Sequence, residues 1–143
     1  MLQAVVAFFS TLLAGAFPAE HAVAGIGGKM ILLNRSAIVV VPKQPFLDWL
    51  RGVDAANTEL TLDDLAAEPT IYLLPAYDSE EAMTEYLSEV YADIFEEELN
   101  GWHSDDSVWP RDPAFEMFCL WFDYRFHPML VDVCDEPLAE EEV

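Results

Sequence analysis

Acidic side chains recur every four residues along one stretch of the chain, and this spacing is its clearest chemical pattern. The acidic row, as we call it, consists of Glu81, Glu85, Glu89, Asp93 and Glu97. Residues four apart are neighbours on a helix surface, so a helix through this stretch places the carboxylates on one face. No Lys or Arg lies between Asp78 and Gly101 to offset their charge.

Repulsion within the acidic row costs roughly 0.2–0.5 kcal/mol for each pair four apart, or about 1–2 kcal/mol in all, and salt screens much of it. One interpretation is a solvated outer face whose repulsion is outweighed by burial of the opposite side of the helix. The other is a docking surface for a basic protein, whose association the row would speed. Binding of a divalent cation is disfavoured, because carboxylates on a straight helix do not converge around an ion.

A second group of polar residues could bind a small ligand. These residues follow two predicted strands or lie in the loop 102–112, and they are Lys43, Tyr77, Asp78, His103, Asp105, Asp106 and Arg111. Lys43 and Arg111 are the loop cations that would contact an anionic ligand. The competing interpretation is structural: the two tryptophans of the loop pack into the core, and its acids cap a turn and the next helix.

Patterns that mark metal or nucleophile chemistry are missing from the sequence. Outside the first 29 residues, His103, Cys119, His127 and Cys134 form neither a C-x-x-C nor an H-x-x-x-H pair, so we predict no metal and no cofactor. No Gly-x-Ser-x-Gly elbow or phosphate loop occurs. The sequence therefore identifies no catalytic residue.

The elements that position these residues follow from apolar spacing and from proline and glycine signals. Strands are predicted at 37–41, 70–74 and 129–134, and helices at 45–52, 61–67, 78–99 and 112–122. The first strand does not alternate, which predicts a central position, and the last helix is apolar almost all round, which predicts burial. Local signals predict Pro45 at a helix start, a capping box at Thr61–Asp64, an N-cap at Asp78 and a stop at Asn100-Gly101. The order β-α-α-β-α-α-β predicts an α/β fold with a small three-stranded, mainly parallel sheet. In such a sheet Lys43 and Tyr77–Asp78 meet at the C-terminal edge, where ligands of open α/β sheets bind.

Composition limits the partners that the protein can have. Of 143 residues, 27 are Asp or Glu and 6 are Lys or Arg, which gives a formal charge of −21. Nucleic acid and anionic membranes both require clustered cations, so neither is predicted as a partner. Hydrophobic residues make up 53% of the chain, which excludes global disorder. Two cysteines are too few for a disulfide scaffold.

The first 29 residues differ from the rest, and three explanations of them stay open. The apolar stretch 4–17 followed by Ala22-Val23-Ala24 resembles a secretory signal, although no cation precedes it. It could also be a membrane anchor, for which it is barely long enough. The third explanation is that translation starts at Met30. We predict a head (1–29), one α/β domain (30–138) and an acidic tail (139–143), in the cytoplasm, or exported if 1–24 is a signal peptide.

Several short segments together resemble a family of small, acidic, functionally uncharacterised bacterial proteins. The segments are 33–36 (LNRS), 42–50 (PKQPFLDWL), 94–99 (IFEEEL), 109–110 (WP) and 135–137 (DEP). The resemblance covers about residues 33–138 and leaves out the head. No site motif comes with it, so it implies no activity, cofactor or partner.

Taken together, these patterns favour a non-enzymatic binding or regulatory protein that engages a basic protein through the acidic row. An inhibitor of a cationic effector and a mimic of nucleic-acid charge are two versions of this hypothesis. The alternative is a small enzyme or ligand-binding domain with its site at the C-terminal edge of the sheet. A third hypothesis is self-association through the last helix and an edge strand; the oligomeric state is not predicted.

Overall fold

The computed structural model describes residues 29–142. Its elements, in chain order, are β1 (Ile31–Leu32), β2 (Arg35–Pro42), α1 (Gln44–Val53), α2 (Leu62–Ala66), β3 (Thr70–Pro75), α3 (Glu80–Trp102), α4 (Phe115–Trp121), β4 (Phe122–His127) and β5 (Val131–Asp132). One compact unit is 34–130, and a second contains the described residues 29–33 and 131–142. The three interpretations of the head concern residues outside the described part of the chain.

The three-stranded sheet lies in the unit 34–130, with β2 at its centre. Its strand order is β3-β2-β4, and both pairs are antiparallel. Arg35 pairs with Pro75 and Val40 with Thr70 on one side of β2, and Ala37 pairs with His127 on the other. The β-branched run in β2 forms the central strand, as its lack of alternation indicates. In the second unit, β1 pairs with β5, also antiparallel.

The prediction of a mainly parallel sheet is wrong, because both strand pairs are antiparallel. The elements of 35–127 do follow the order β-α-α-β-α-α-β, but their last strand is β4 rather than the predicted 129–134. The connection from β2 to β3 leaves and re-enters the sheet at the same end, so β3 runs back along β2. Parallel neighbours would have required a crossover to the opposite end of the sheet. Such a crossover joins β3 to β4 through α3 and α4, and these two strands run in the same direction, but β2 lies between them.

The third strand of the sheet is β4, so the prediction of that strand at 129–134 is wrong. Only Val131–Asp132 of that run is a strand, and it pairs with β1. In β4 the apolar residues Phe122, Tyr124 and Phe126 alternate with polar ones. This period of two is the ordinary signal of a strand with one buried face. Because the residues of α4 that precede β4 are also apolar, the sequence does not show where the helix ends.

Local signals at the helix ends are partly confirmed. Pro45 lies in the first turn of α1, and Thr61 begins α2 with the predicted capping box, in which its side chain and that of Asp64 bond reciprocally to backbone N–H groups. The N-cap of α3 is Ser79, which accepts a hydrogen bond from the backbone of Ala82, rather than Asp78. The predicted stop at Asn100-Gly101 is wrong, since α3 continues to Trp102.

Aromatic packing dominates the core of the unit 34–130. The ring of Phe122 lies 5.1 Å from those of Phe95 and Phe118 and 5.3 Å from that of Phe46. These residues come from β4, α3, α4 and α1, so one cluster joins the sheet to three helices. The last helix is not buried all round as expected: Phe118 is 0% exposed, but Leu120 is 65% exposed.

Candidate functional site

All five carboxylates of the acidic row lie on the outer surface of α3. Their side chains are exposed. The opposite side of the helix is buried in the core and consists of Met83, Leu87, Ile94, Phe95, Glu98 and Leu99. Burial of this side stabilises the helix, although the carboxylates on its other side repel one another. The structure therefore confirms that the row is solvent-facing.

The acidic row winds around the helix rather than running straight along it. Each four-residue step advances about 6 Å and turns about 40°, so the row spans roughly 24 Å and almost half of the helix circumference. Glu96, also exposed, falls between Glu85 and Glu89 in angle. A scan at four-residue spacing misses it, although its seven-residue offset from Glu89 places it on the same face.

The few cations of the described chain do not neutralise these carboxylates. Lys43 donates to the carbonyl of Cys119 at 2.6 Å, and Arg51 donates to the carbonyl of Leu60 through Nε at 3.0 Å and through Nη2. Arg35 bonds to its neighbour Asn34. Among residues 29–142 no member of the acidic row has an ion-pair partner. Backbone carbonyls hold the cationic groups of Lys43, Arg51 and Arg35 instead.

Two tyrosines lie beside the middle of the acidic row. The rings of Tyr77 and Tyr86 are 5.8 Å apart and tilted by 47°. Loss of solvation raises the pKa of Tyr77, and electrostatic interaction with the ionisable hydroxyl of Tyr86 and the carboxylates of Glu89 and Glu85 raises it further. Tyr77 is held through its backbone, whose N–H donates to the hydroxyl of buried Ser36 at 2.9 Å. The structure thus brings one predicted ligand-site residue to the acidic row instead.

The predicted ligand site is divided between the two ends of the sheet. Lys43 follows β2 at one end, whereas Tyr77 and Asp78 follow β3 at the other, because the two strands are antiparallel. The eight residues of β2 separate these ends by about 25 Å. The predicted meeting of Lys43 with Tyr77 and Asp78 at one C-terminal edge does not occur.

Lys43 closes the end of a helix. Its ammonium reaches the carbonyl of Cys119, and its backbone N–H donates to the carbonyl of Trp121 at 2.7 Å. Both carbonyls belong to the last turn of α4, where the helix leaves its acceptors without internal partners. A cation at this position also complements the helix dipole. The contacts of Lys43 are therefore those of a structural residue.

Hydrogen bonds from two tryptophans hold in place the loop that carries His103, Asp105, Asp106 and Arg111. Trp109 donates through its indole N–H to the carbonyl of His103 at 2.7 Å. A second indole, that of Trp49 in α1, donates to the carbonyl of Val108 at 3.0 Å and lies 6.3 Å from the imidazole of His103. These bonds support the structural interpretation of the loop.

The loop acids have local roles as well. Asp105 accepts hydrogen bonds from the hydroxyl and backbone N–H of Ser107, and these bonds lower its pKa. It thereby begins a short 3-10 turn, Asp106–Val108. Asp112 does not cap α4; its φ of 45° turns the chain there, and Ala114 takes the N-cap position. Asp106 and Arg111 are exposed.

One buried carboxylate, that of Glu98, is not among the residues predicted from the sequence. Glu98 is 6% exposed and accepts a hydrogen bond from the hydroxyl of Tyr72 in β3 at 2.8 Å. Burial raises the pKa of Glu98, and the neighbouring charge of Glu97 adds to it, while bonds from Tyr72 and Thr70 act in the opposite direction. The only sequence signal is its helical position, since Glu98 shares the buried side with Ile94 and Leu87.

Metal-ligating side chains do not cluster in the described part of the chain. Within residues 29–142 no three His, Cys, Asp or Glu side chains are placed to hold a metal ion. Cys119 is half-buried and Cys134 exposed, and both are free thiols. Burial raises the pKa of the Cys119 thiol, which disfavours the reactive thiolate.

Comparisons with known proteins found no relative of this chain. Family models, curated proteins and solved structures all gave no match to the chain. The resemblance to a bacterial family therefore stays a prediction. None of the helices in 29–142 is both long and apolar enough to cross a membrane.

Proposed function

We propose that the protein is a non-enzymatic binding protein that engages a basic protein through the acidic row and the adjoining tyrosines. The observation that carries the proposal is the exposure of all five carboxylates of the row on α3, with no ion-pair partner among the described residues. Uncompensated surface charge raises the local potential and steers an oppositely charged partner into contact.

The tyrosines give this surface a chemistry that bare charge lacks. Tyr77 and Tyr86 are half-buried and in ring contact beside Glu85 and Glu89. An aromatic face attracts Arg and Lys side chains, and nearby carboxylates pair with the same groups. Tyrosine is also enriched among residues that dominate binding energy. An Arg-rich segment is therefore the partner surface that this patch fits best.

The first test measures binding of a synthetic Arg-rich peptide to the full chain by titration at low salt and at about 0.5 M salt, where the screening length falls to roughly 4 Å. In the row variant, Gln replaces each Glu of the acidic row and Asn replaces Asp93. This variant should bind the peptide about tenfold more weakly than the unchanged chain at low salt. This follows from about 0.3 kcal/mol for each exposed charge.

A matched control separates the row from net charge. It removes the same number of exposed carboxylates elsewhere, by Glu→Gln at positions 59, 68, 140, 141 and 142. The control should lose less than about threefold, because only long-range steering is weakened. Equal losses in the two variants, or affinity that does not change with salt, would exclude the row as the recognition surface.

A second pair of variants tests the tyrosines. Tyr77→Leu keeps the bulk and the backbone bond to Ser36 but removes the aromatic face, and should weaken binding about two- to fivefold. Tyr91→Leu, whose ring packs against Phe115 and Phe118 of α4, is the matched control for loss of a tyrosine outside this surface. If Tyr77→Leu binds like the unchanged chain while the row variant is impaired, recognition rests on charge alone and the aromatic part of the proposal fails.

A further inference from the structure

Among residues 29–142, no strand lies against the outer edge of β4. In the three-stranded sheet β4 pairs only with β2, and no backbone hydrogen bond found among the described residues engages its other side. A groove of about 410 Å³ beside the strand is lined by Val39 and Val41 of β2, by Glu80 and by residues 123–127 of β4. Exposed edges of this kind bind a further strand through main-chain hydrogen bonds.

The side chains of β4 are complementary to a second copy of themselves. Asp123 and Arg125 are both exposed and lie on the same face of the strand, two residues apart. If two β4 strands pair antiparallel about an axis through Tyr124, each Asp123 lies opposite the partner's Arg125. The same register places Phe122 opposite the partner's Phe126. Opposite charges directly across a strand pair are stabilising.

Neighbouring registers lack this match. An axis through Arg125 sets two guanidinium groups against each other, and an axis through Asp123 does the same with two carboxylates. Shifting the register by a single residue would put core-facing residues opposite outward-facing ones. The Tyr124-centred pairing is therefore the one that joins opposite charges twice.

We propose that the outer edge of β4 binds the same edge of a second copy, in the register centred on Tyr124, to form one six-stranded antiparallel sheet. Two forces oppose the dimer. The formal charge of −21 on each chain is repulsive, and the two copies of Glu80 in the groove add to it. Salt screens this long-range repulsion more than the contact pairs, so the dimer should form more readily at about 0.5 M salt.

Sedimentation of the full chain over a wide concentration range, at low salt and at about 0.5 M salt, tests the proposal. Arg125→Asp and Asp123→Arg should each weaken the dimer at least about tenfold, since each sets like charges opposite twice. The double variant with both changes restores opposite pairing and should recover to within about threefold. Arg111→Asp, an exposed loop substitution with the same change in charge, is the matched control for Arg125→Asp.

Each outcome decides the matter. Recovery in the double variant, with Arg111→Asp close to the unchanged chain, supports pairing at β4. A chain that stays monomeric at every concentration and both salts overturns it. So does a dimer that ignores the charge reversals, which would point to another surface, such as the β3 edge with exposed Ile71 and Leu73. Circular dichroism of each variant confirms that the fold is kept.

Discussion

Replacing Tyr72 by Phe should destabilise the protein by about 1.5–3 kcal/mol, because it removes a hydrogen bond donated to a buried charged group. The bond joins the Tyr72 hydroxyl to Oε1 of Glu98 at 2.8 Å, and Glu98 is 6% exposed. The side chain of Thr70 remains as the other hydrogen-bonding group. Glu98→Gln removes the buried charge but keeps an acceptor for Tyr72, so its stability should stay within about 1 kcal/mol of the unchanged chain.

The two substitutions together measure the interaction. In the Glu98→Gln background, Tyr72→Phe should cost less than about 1 kcal/mol, because the hydroxyl then bonds a neutral amide. The coupling energy should therefore be on the order of 1–2 kcal/mol, as for contacting residues in one hydrogen-bond network. Urea unfolding followed by tryptophan fluorescence gives the free energy of unfolding of the unchanged chain, of the two single variants and of the double variant.

The pH dependence gives a second, independent signature. The pKa of Glu98 is raised in the folded protein above its ordinary value of 4.5, so the folded state holds this proton more tightly than the unfolded state. Stability from this group is fully present below pH 4.5 and is lost as pH rises through the folded value. Relative to Glu98→Gln, the unchanged chain should therefore become less stable as pH rises over this window.

Glu96→Gln, an exposed carboxylate on the same helix, is the control for loss of one charge. Its stability should follow that of the unchanged chain across the window. An equal cost of Tyr72→Phe with Glu or Gln at position 98 would show that the bond gains nothing from a buried charge. A stability difference between the unchanged chain and Glu98→Gln that does not vary with pH would show that the pKa of Glu98 is not raised by folding.

Two further predictions concern the helix that leads into β4. Lys43→Met should cost about 0.5–1.5 kcal/mol in urea unfolding, since it removes the ammonium bond to the last turn of α4; a change below about 0.3 kcal/mol would mean that water replaces the bond. Phe118→Ala should cost about 3–5 kcal/mol because the ring is 0% exposed. Leu120, two residues later, is 65% exposed, so Leu120→Ala should change the free energy of unfolding by less than about 0.5 kcal/mol. Similar costs for the two substitutions would contradict the burial of Phe118 in the core.

Much of the local structure could be predicted because its causes are local. The β-branched run of β2, the proline in α1 and the reciprocal bonds of Thr61 and Asp64 depend on residues within a few positions of one another. The exposure of the acidic row followed from helical spacing, since a helix with one apolar side turns the other to solvent. Errors of this kind were small, such as the N-cap at Ser79 instead of Asp78.

What the tertiary structure decided depends on contacts between distant residues. The direction of β3 against β2 depends on the end of the sheet at which the chain re-enters, which no local pattern encodes. That direction in turn separates Lys43 from Tyr77 and leaves Tyr77 beside the acidic row. Sequence alone determined which residues carry charge and which helix face they share; long-range strand pairing decided their neighbours, because it brings together backbone groups far apart in the chain.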